Sequence, residues 1–343
     1  MPGIAAGNFV TTATRERFFP KAVDNVFDGN VLFQRLRAKA RPWTGGHRLV
    51  VSTTVVDRTN ATSYSGFDTL PVAQENVRQR FTIDPSEYAI NVTFSGIQLA
   101  VNKGQEAFLN LVAEEFSDAA RALSEKLGED LYLDGTSNSS KAIAGLVYHV
   151  DDSTNVTTYQ GLSRSTYTNL NATLTAQGGA LGFSNLATDY DAAQRGSDNP
   201  TLITTTPAVF SIIERLLTPT SVNAPMLSVS YNQSLPKGSP TGQGTGGGVS
   251  LEVGANAIWY RGVPIIADEK CTSGNIFTLN EKHLFLYELD YSSEVVEASK
   301  EGFGWTGWKR SSNQNAIVGH LLWAGQLVGE SPRSMARRTG VTS

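Results

Sequence analysis

The sequence predicts an α+β fold, and three observations lead to this prediction. β-branched and aromatic residues cluster in short, strand-like runs over much of the chain. Residues 104–133 carry an apolar stripe at helical spacing, which is long enough for a helix of roughly 45 Å. The 343 residues, 40% of them hydrophobic, are enough for about two domains, yet only 17% are charged. Such a low charged fraction is typical of a protein that buries surface against copies of itself, and also of many secreted β proteins.

Residues 1–43 are predicted to form an arm. Phe18 and Phe19 precede Pro20, and short helix-like patterns follow without a complete core of their own. We expect this arm to bury its apolar residues on a neighbouring subunit and to become ordered on association.

Residues 44–95 are predicted to form an extended two-stranded β-ribbon. Residues 48–56 are rich in β-branched residues, a polar stretch with Gly66 and Pro71 follows, and strand character resumes over residues 77–95. Neither strand is apolar enough to bury both faces, and an isolated two-stranded ribbon is marginal in water. The ribbon is therefore expected to lie on its own body or on a partner.

Residues 104–133 give the clearest helix prediction, and Asp134-Gly135 is expected to end it. This helix is longer than the usual ~11–12 residues. Its single apolar stripe predicts that one sheet or domain lies across its whole length. The stripe consists of Phe108, Val112, Phe116, Ala119/Ala120, Leu123, Leu127 and Leu131.

The remaining residues are predicted to be mixed and then strand-rich. A strand over 200–206 leads into a helix from Pro207 to Leu217, with proline at its first turn. Residues 238–248 form a Gly-rich loop. Further strands are predicted within 258–266, 275–289, 303–310 and 317–328.

No catalytic, metal or cofactor motif emerges, so the chain is predicted not to be an enzyme and to need no cofactor. The one cysteine, Cys271, excludes an intrachain disulfide and has no evident catalytic partner. The histidines are far apart and are interpreted as structural or surface residues: His47, His149, His283 and His320.

Two patterns that resemble binding motifs lack the necessary context. Gly242, Gly244 and Gly247 match G-x-G-x-x-G, but no apolar strand precedes them and no helix follows. Four aspartates lie in pairs without the framing of a calcium loop: Asp151, Asp152, Asp189 and Asp191. We therefore predict neither a dinucleotide site nor a calcium site from these patterns.

Charge is unevenly distributed along the chain although the net charge is only -4. Residues 1–50 hold eight basic and three acidic residues, a local +5, and residues 331–343 add three arginines without an acid. Basic termini predict a surface that tolerates a packed polyanion, although solvated faces would also explain them. The candidate DNA-facing residues are Arg15, Arg17, Lys21, Arg333, Arg337 and Arg338. Neither a signal peptide nor a membrane-spanning run is predicted.

The order of these elements resembles the major capsid protein of tailed double-stranded DNA bacteriophages, whose fold is shared with encapsulins. Local strings that resemble the family are LFQRLRAKARPWTGGHRLVV (32–51), EKLGEDLYLDGTSNSSKAIAGLVYHVDD (125–152), YQGLSRSTYTNLNATL (159–174), YRGVPIIADEKCTSGNIFTLNEKHLFLY (260–287) and WAGQLVGESPRSMARRTGV (323–341).

This resemblance implies the phage major capsid fold, with an N-terminal arm, an extended β-ribbon loop, a long spine helix, and peripheral and axial domains. The implied units are the arm at 1–43, the loop at 44–95, the spine helix at 96–139, the axial domain at 140–262 and completing C-terminal strands at 263–343. Such subunits would form hexamers and pentamers through heterologous contacts and close into an icosahedral virion shell around double-stranded DNA. Assembly would take place in the bacterial host cytoplasm.

The resemblance also implies partners. A separate scaffolding protein, a portal and a cement or decoration protein are expected. Residues 44–95 contain no lysine, so no isopeptide cross-link is expected from this loop. Shell stability would then come from non-covalent contacts or from a cement protein.

Four residues at the ribbon tip are the predicted intersubunit contacts: Tyr64, Phe67, Leu70 and Pro71. They are apolar residues on a polar loop, and the alternative is that they fold back on their own ribbon. For the whole chain, three other classes remain open. These are an encapsulin-type compartment, a stand-alone enzyme or carbohydrate-binding β protein, and a tail or neck component.

Overall fold

The computed structural model describes residues 30–101, 111–217, 257–289, 297–298 and 303–342. The helices are α1 Val31–Arg37, α2 Gly96–Val101, α3 Leu111–Asp130, α4 Leu146–His149, α5 Phe183–Ala193 and α6 Pro207–Leu217. Ser137–Ser140 is a left-handed turn, because Asn138, Ser139 and Ser140 have φ values of 51°, 59° and 62°. Thr168–Leu170 and Pro332–Ser334 form 3-10 turns.

The strands of the described residues fall into two large sheets and two two-stranded pairs. In chain order they are β1 Arg41–Trp43, β2 Leu49–Thr54, β3 Arg78–Ile83, β4 Ser86–Ser95, β5 Thr158–Tyr159, β6 Leu162–Ser163, β7 Thr173–Ala176, β8 Leu202–Thr205, β9 Ala257–Tyr260, β10 Val263–Ala267, β11 Ile276–Leu279, β12 Leu284–Leu289, β13 Glu297–Ala298, β14 Gly304–Trp305, β15 Lys309–Arg310, β16 Ala316–Gly329 and β17 Ala336–Thr339. This mixture of helices and sheets confirms the α+β prediction.

The seven-stranded sheet is built around β16, which pairs with β4, β12, β14 and β15, while β1 and β13 extend its two sides. The pairing with β4 runs from Ser86 opposite Gly325 to Ser95 opposite Ala316. Helix α3 lies against this sheet, and its Leu123 and Leu127 are buried in the main core. The predicted long helix is therefore confirmed over its described part.

Helix α3 ends at Asp130, four residues before the predicted stop at Asp134. The reason is a close return of the chain: the Leu146 amide donates to the Leu131 carbonyl oxygen at 2.6 Å. A Cβ atom at Gly145 would lie only 2.4–2.5 Å from carbonyl oxygens of residues 130, 131 and 133. The last residues of the predicted helix instead form a buried turn.

The ribbon prediction is confirmed for β2 and β3, which pair antiparallel from Leu49 opposite Ile83 to Thr54 opposite Arg78. It is wrong beyond Ile83. Pro85 has no amide hydrogen to continue the ladder, and the chain after it leaves the ribbon to become β4 of the seven-stranded sheet.

The arm prediction is wrong for α1, which packs on its own subunit. Its four apolar residues, Val31, Leu32, Phe33 and Leu36, are buried in the core that also contains Leu123 and Leu127. The Leu32 amide donates to the Asp268 carboxylate at 3.3 Å, and Arg35 forms an ion pair with Glu281. Residues 1–29 lie outside the described part of the chain.

The six-stranded sheet has the order β7-β17-β11-β8-β10-β9 and supports a second core with α5 and α6. Strand β8 and helix α6 confirm two sequence predictions. Helix α5 was not predicted, because only Leu186, Tyr190 and Ala193 supply its buried apolar positions. The Gly-rich loop at 238–248 lies outside the described residues. Within the described chain, no helix is long and apolar enough to cross a membrane.

Candidate functional site: the exposed ribbon and its support

The base of the ribbon is packed firmly on the subunit. Phe81 is fully buried and meets the Tyr159 ring edge-on, with centroids 5.6 Å apart. The Thr82 amide donates to the Gln160 carbonyl oxygen at 3.0 Å. Val55, directly after the facing strand β2, is also buried in this cluster. The base of the ribbon is thus part of the folded body.

A buried arginine, Arg164, holds together the segment on which the ribbon sits. Its guanidinium donates to the carbonyl oxygens of Asp151 and Leu170 at 2.5 Å each, and to that of Tyr148 at 2.7 Å. It also lies over the Tyr159 ring, 4.5 Å from the centroid. Burial lowers the pKa of Arg164, but an arginine remains protonated in proteins. Its charge is therefore satisfied by backbone dipoles and an aromatic face.

His149 belongs to the same support. Its Nδ1 lies 2.8 Å from the Tyr159 hydroxyl, its Nε2 lies 3.2 Å from the Leu327 carbonyl oxygen, and Tyr159 donates to the Gly329 carbonyl oxygen at 2.8 Å. Burial, reinforced by the neighbouring Arg164 charge, lowers the pKa of His149 to about 3. The neutral imidazole therefore links the ribbon support to β16.

Beyond Val56 the ribbon loses strand pairing but stays closed. The Thr59 hydroxyl donates to the Glu75 carboxylate at 2.7 Å, and this hydrogen bond lowers the pKa of Glu75. The Asn60 side-chain amide donates to the Ala73 carbonyl oxygen at 3.2 Å. These two hydrogen bonds hold the two sides of the loop 57–76 close together.

The tip of this loop presents apolar side chains to solvent. Phe67 is 108% exposed, Val72 95%, Tyr64 65% and Leu70 54%, and Pro71 is also exposed. In this structure none of them is folded back onto the ribbon. Concentrated apolar exposure on a projecting loop is typical of a protein interaction site.

Two of the predicted DNA-facing arginines are committed to the subunit interior. Arg338 is 4% exposed, and its guanidinium forms two 2.7 Å hydrogen bonds with the Asp189 carboxylate. Arg337 is half-buried, donates to Asn275 at 3.1 Å and lies over the Phe277 ring. The DNA-facing prediction is therefore wrong for Arg338 and unsupported for Arg337.

Arg333 differs, because its side chain is 39% exposed. It pairs with Asp57 at 3.1 Å, which ties the outer ribbon to the body. Arg15, Arg17 and Lys21 lie outside the described residues.

Among the residues that the structure describes, reactive side chains are not clustered in one place. No cluster of three or more His, Cys, Asp or Glu able to hold a metal occurs among the described residues. Cys271 is buried, and burial raises the pKa of its thiol, so it is not a thiolate at neutral pH. Although burial raises the pKa of Asp198, hydrogen bonds from Lys282 and His283 bring it down to about 2. Asp151 accepts amide hydrogens from its own loop, including that of Val156 at 2.9 Å.

Sequence reasoning missed Arg164 and Tyr159. Their only signal is a basic residue in a turn-rich run of Tyr, Ser and Thr. That pattern does not distinguish a buried arginine from a surface one.

Comparisons with solved structures find the same fold in protein shells. The cyanophage A-1(L) capsid asymmetric unit matches with a TM-score of 0.68 at 16% identity, over 94% of this chain and 96% of that chain. The holo-SrpI encapsulin complex from Synechococcus elongatus PCC 7942 gives 0.59 at 12% identity, over 97% and 94%. The capsid of Myoviridae phage XM1 gives 0.54 at 12% identity, over 99% and 100%. No protein-family model and no curated protein matches the chain.

Proposed function

Since the chain has the major capsid fold of tailed phages, which encapsulins share, we propose that it is a structural major capsid protein and not an enzyme. It assembles as hexamers and pentamers into an icosahedral shell that encloses double-stranded DNA. The observation that carries this proposal is the near-complete coverage of shell-forming chains in both directions. The exposed apolar tip supports it, because such a surface is expected to find a partner.

The proposed division of labour follows the units of the chain. Residues before α1 reach a neighbouring subunit, and the ribbon lies over the next subunit. Helix α3 and the seven-stranded sheet form the peripheral domain, while the six-stranded sheet with α5 and α6 forms the axial domain around the symmetry centres. Because the contacts are heterologous, a closing rotation produces rings, and rings can then tile a closed shell.

The partners of this proposal are a separate scaffolding protein, a portal and a cement or decoration protein. The mature location is the virion capsid, after assembly in the bacterial host cytoplasm. The absence of lysine from residues 44–95 supports a shell held by non-covalent contacts at this loop.

An encapsulin-type compartment is the second candidate, and the match to the SrpI encapsulin favours it. The commitment of Arg338 to Asp189 also removes one charge from the set that favoured DNA. The contents of the particle distinguish the two candidates.

Negative-stain electron microscopy of the purified chain, alone and with a candidate scaffold, tests the proposal. We expect closed isometric particles tens of nanometres across. Nuclease-protected DNA inside particles isolated from infected cells would favour the phage shell, and a protein cargo would favour the compartment. A monodisperse monomer under both conditions would contradict both candidates.

Arg333 is the described residue that we retain as a candidate for DNA contact. The change Arg333→Glu should reduce DNA retention, because a negative charge would replace a counter-charge to phosphate. Retained DNA is measured after a salt wash of filled particles.

The matched control for this change is Asp57→Asn. It breaks the same 3.1 Å ion pair without altering the charge at position 333. Equal DNA loss in both variants would mean that the ribbon tether, rather than phosphate contact, is responsible.

A further inference from the structure

A second exposed apolar surface lies at the far end of the seven-stranded sheet from the ribbon base. We call it the end surface, and define it by Ile97, Trp308, Lys309 and Arg310. Ile97 is 71% exposed and Trp308 41%. The elements that carry them flank the same end of β16, because Phe94 and Arg310 pair with Ile317 from its two sides. The end surface therefore combines apolar area with two exposed cations.

Trp308 is held rigidly although one side of it is open. Its ring packs edge-on against Trp305, with centroids 5.0 Å apart, and lies 5.5 Å from the Phe94 ring. Trp305 in turn contacts Phe116 of α3 at 5.2 Å. A Cβ at position 319 would lie 2.1 Å from the Trp305 ring, so Gly319 gives this stack its room on β16. A fixed aromatic loses little conformational entropy on binding, which is the property of an anchor residue.

The conformation of the ribbon tip is also fixed within the single subunit, before any partner binds. The Ser65 amide donates to the Asp68 carboxylate at 2.7 Å, and the Asp68 amide donates back to the Ser65 carbonyl oxygen at 2.7 Å. This reciprocal turn fixes Phe67 at the outermost position, where it is 108% exposed. The tip thus offers an aromatic side chain that the loop already holds in place.

The tip and the end surface are complementary in charge as well as in apolar character. Residues 60–74 contain one acid, Asp68, and no base. Residues 303–316 contain two bases, Lys309 and Arg310, and no acid. Neither base has an ion-pair partner among the described residues. Opposite charges around an aromatic contact are expected to fix its register.

The other exposed aromatic on the described body, Trp259, is a poorer candidate for the same partner. It lies on β9 of the other sheet and is 46% exposed. The nearby cation Arg261 is already paired with Asp191 at 2.5 Å. The cation beside Trp259 in the β9–β10 turn therefore already has an ion-pair partner, unlike Lys309 and Arg310.

We infer that the ribbon tip of one copy docks on the end surface of a second copy, with Phe67 against Trp308 and Asp68 facing Lys309 and Arg310. The inference rests on the proposed function and names the surface that receives the ribbon. It gives the shell a non-covalent aromatic and ionic contact at the loop that lacks lysine.

Cross-linking of mixed subunits tests this contact. Phe67→Cys and Trp308→Cys are made in separate subunits, co-assembled in equal amounts, and treated with a short bismaleimide. A maleimide linker is preferred to a disulfide, because stacked aromatic residues lie further apart than the ~4.4–6.8 Å between Cα atoms that a disulfide tolerates. The native Cys271 is 6% exposed and contributes little background. A cross-linked dimer containing both variants can only arise between two copies.

We expect that dimer band in assembled particles, and at least a tenfold weaker band when Trp259→Cys replaces Trp308→Cys. Particles without the Phe67–Trp308 band, or with an equal Phe67–Trp259 band, would overturn the inference. If a cysteine at 67 or 308 prevents assembly, Val72→Cys with Lys309→Cys repeats the test at the edge of the contact. Unsubstituted protein that forms no particles would instead refute the proposed function, so the two failures are distinguishable.

Discussion

Replacement of residues 60–74 by Asn-Gly is expected to leave a folded subunit that no longer forms closed shells. The Thr59–Glu75 hydrogen bond already brings the two sides of the loop together, and Asn-Gly closes a two-residue hairpin. The removed residues contribute no buried apolar side chain to the body. Thermal unfolding should therefore stay within a few degrees of the unchanged protein, while electron microscopy shows free subunits or open rings.

The loss of closure is expected to be complete because every subunit repeats the same tip contact. Burying one large apolar side chain contributes about 1.5–3 kcal/mol, and the tip presents Tyr64, Phe67, Leu70 and Val72. In a shell the same contact is made by every subunit, so a modest loss at each copy abolishes closure of the whole.

A matched pair of variants separates the apolar contact from loop length. Replacing Tyr64, Phe67, Leu70 and Val72 together by serine keeps the length of the loop and should also prevent closure of the shell. Serine at Ala61, Thr62 and Ala73 changes the same loop without removing large apolar groups and should assemble normally. Closed shells of normal size from the Asn-Gly replacement would contradict the lattice role of the ribbon.

The elements that were predictable from the sequence are those whose signals are local. Helix α6 begins at Pro207 and ends at Leu217 as predicted, because its apolar stripe and first-turn proline lie within eleven residues. Strands β2 and β3 were found for the same reason. Local periodicity also identified the described part of α3, whose end is nevertheless set by the returning segment around Gly145.

What could not be predicted is pairing between distant segments. Strand β4 follows the ribbon with continuous strand character, yet its partner is β16, more than 220 residues later. Alternation of side chains shows that a strand exists and which residues share a face, but it does not identify the neighbouring strand. The extension of the ribbon to residue 95 was wrong for this reason.

The basic residues show the same limit for the candidate site. A count of charges near the C terminus treats Arg333 and Arg338 as equals. In the fold, Arg338 forms a buried ion pair with Asp189, a residue 149 positions away, whereas Arg333 remains partly exposed. Exposed apolar residues at the tip were easier to identify, because their polar surroundings in the sequence already mark them as a projecting loop.

Acid is expected to destabilise the subunit through His149, beyond the general effect of acid on carboxylates. The folded pKa of about 3 lies below the ordinary value of 6.5. At a pH between these values His149 is protonated in the unfolded chain but not in the folded chain. The free energy of unfolding therefore decreases as the pH falls below 6.5. One pKa unit corresponds to about 1.4 kcal/mol, which gives a loss of roughly 2–3 kcal/mol between pH 7.5 and 4.5.

Urea unfolding of unassembled subunits at pH 7.5 and 4.5 measures this loss, with His149→Gln as the comparison. The variant is less stable at neutral pH, because the glutamine cannot reproduce both imidazole contacts, but its stability should fall by 2–3 kcal/mol less on acidification. Equal pH dependence of stability in the two proteins would show that His149 is not responsible for the loss in acid.

Burial, together with the neighbouring Arg164 charge, explains why the folded protein disfavours protonation of His149. A protonated His149 could donate to both Tyr159 and Leu327, whose oxygens lie at 2.8 and 3.2 Å. The new cation would, however, share a water-free cluster with the Arg164 guanidinium, and that charge acts with burial to lower the pKa. Because Tyr159 also supports Phe81 at the ribbon base, loss of this cluster in acid should loosen the ribbon together with the body.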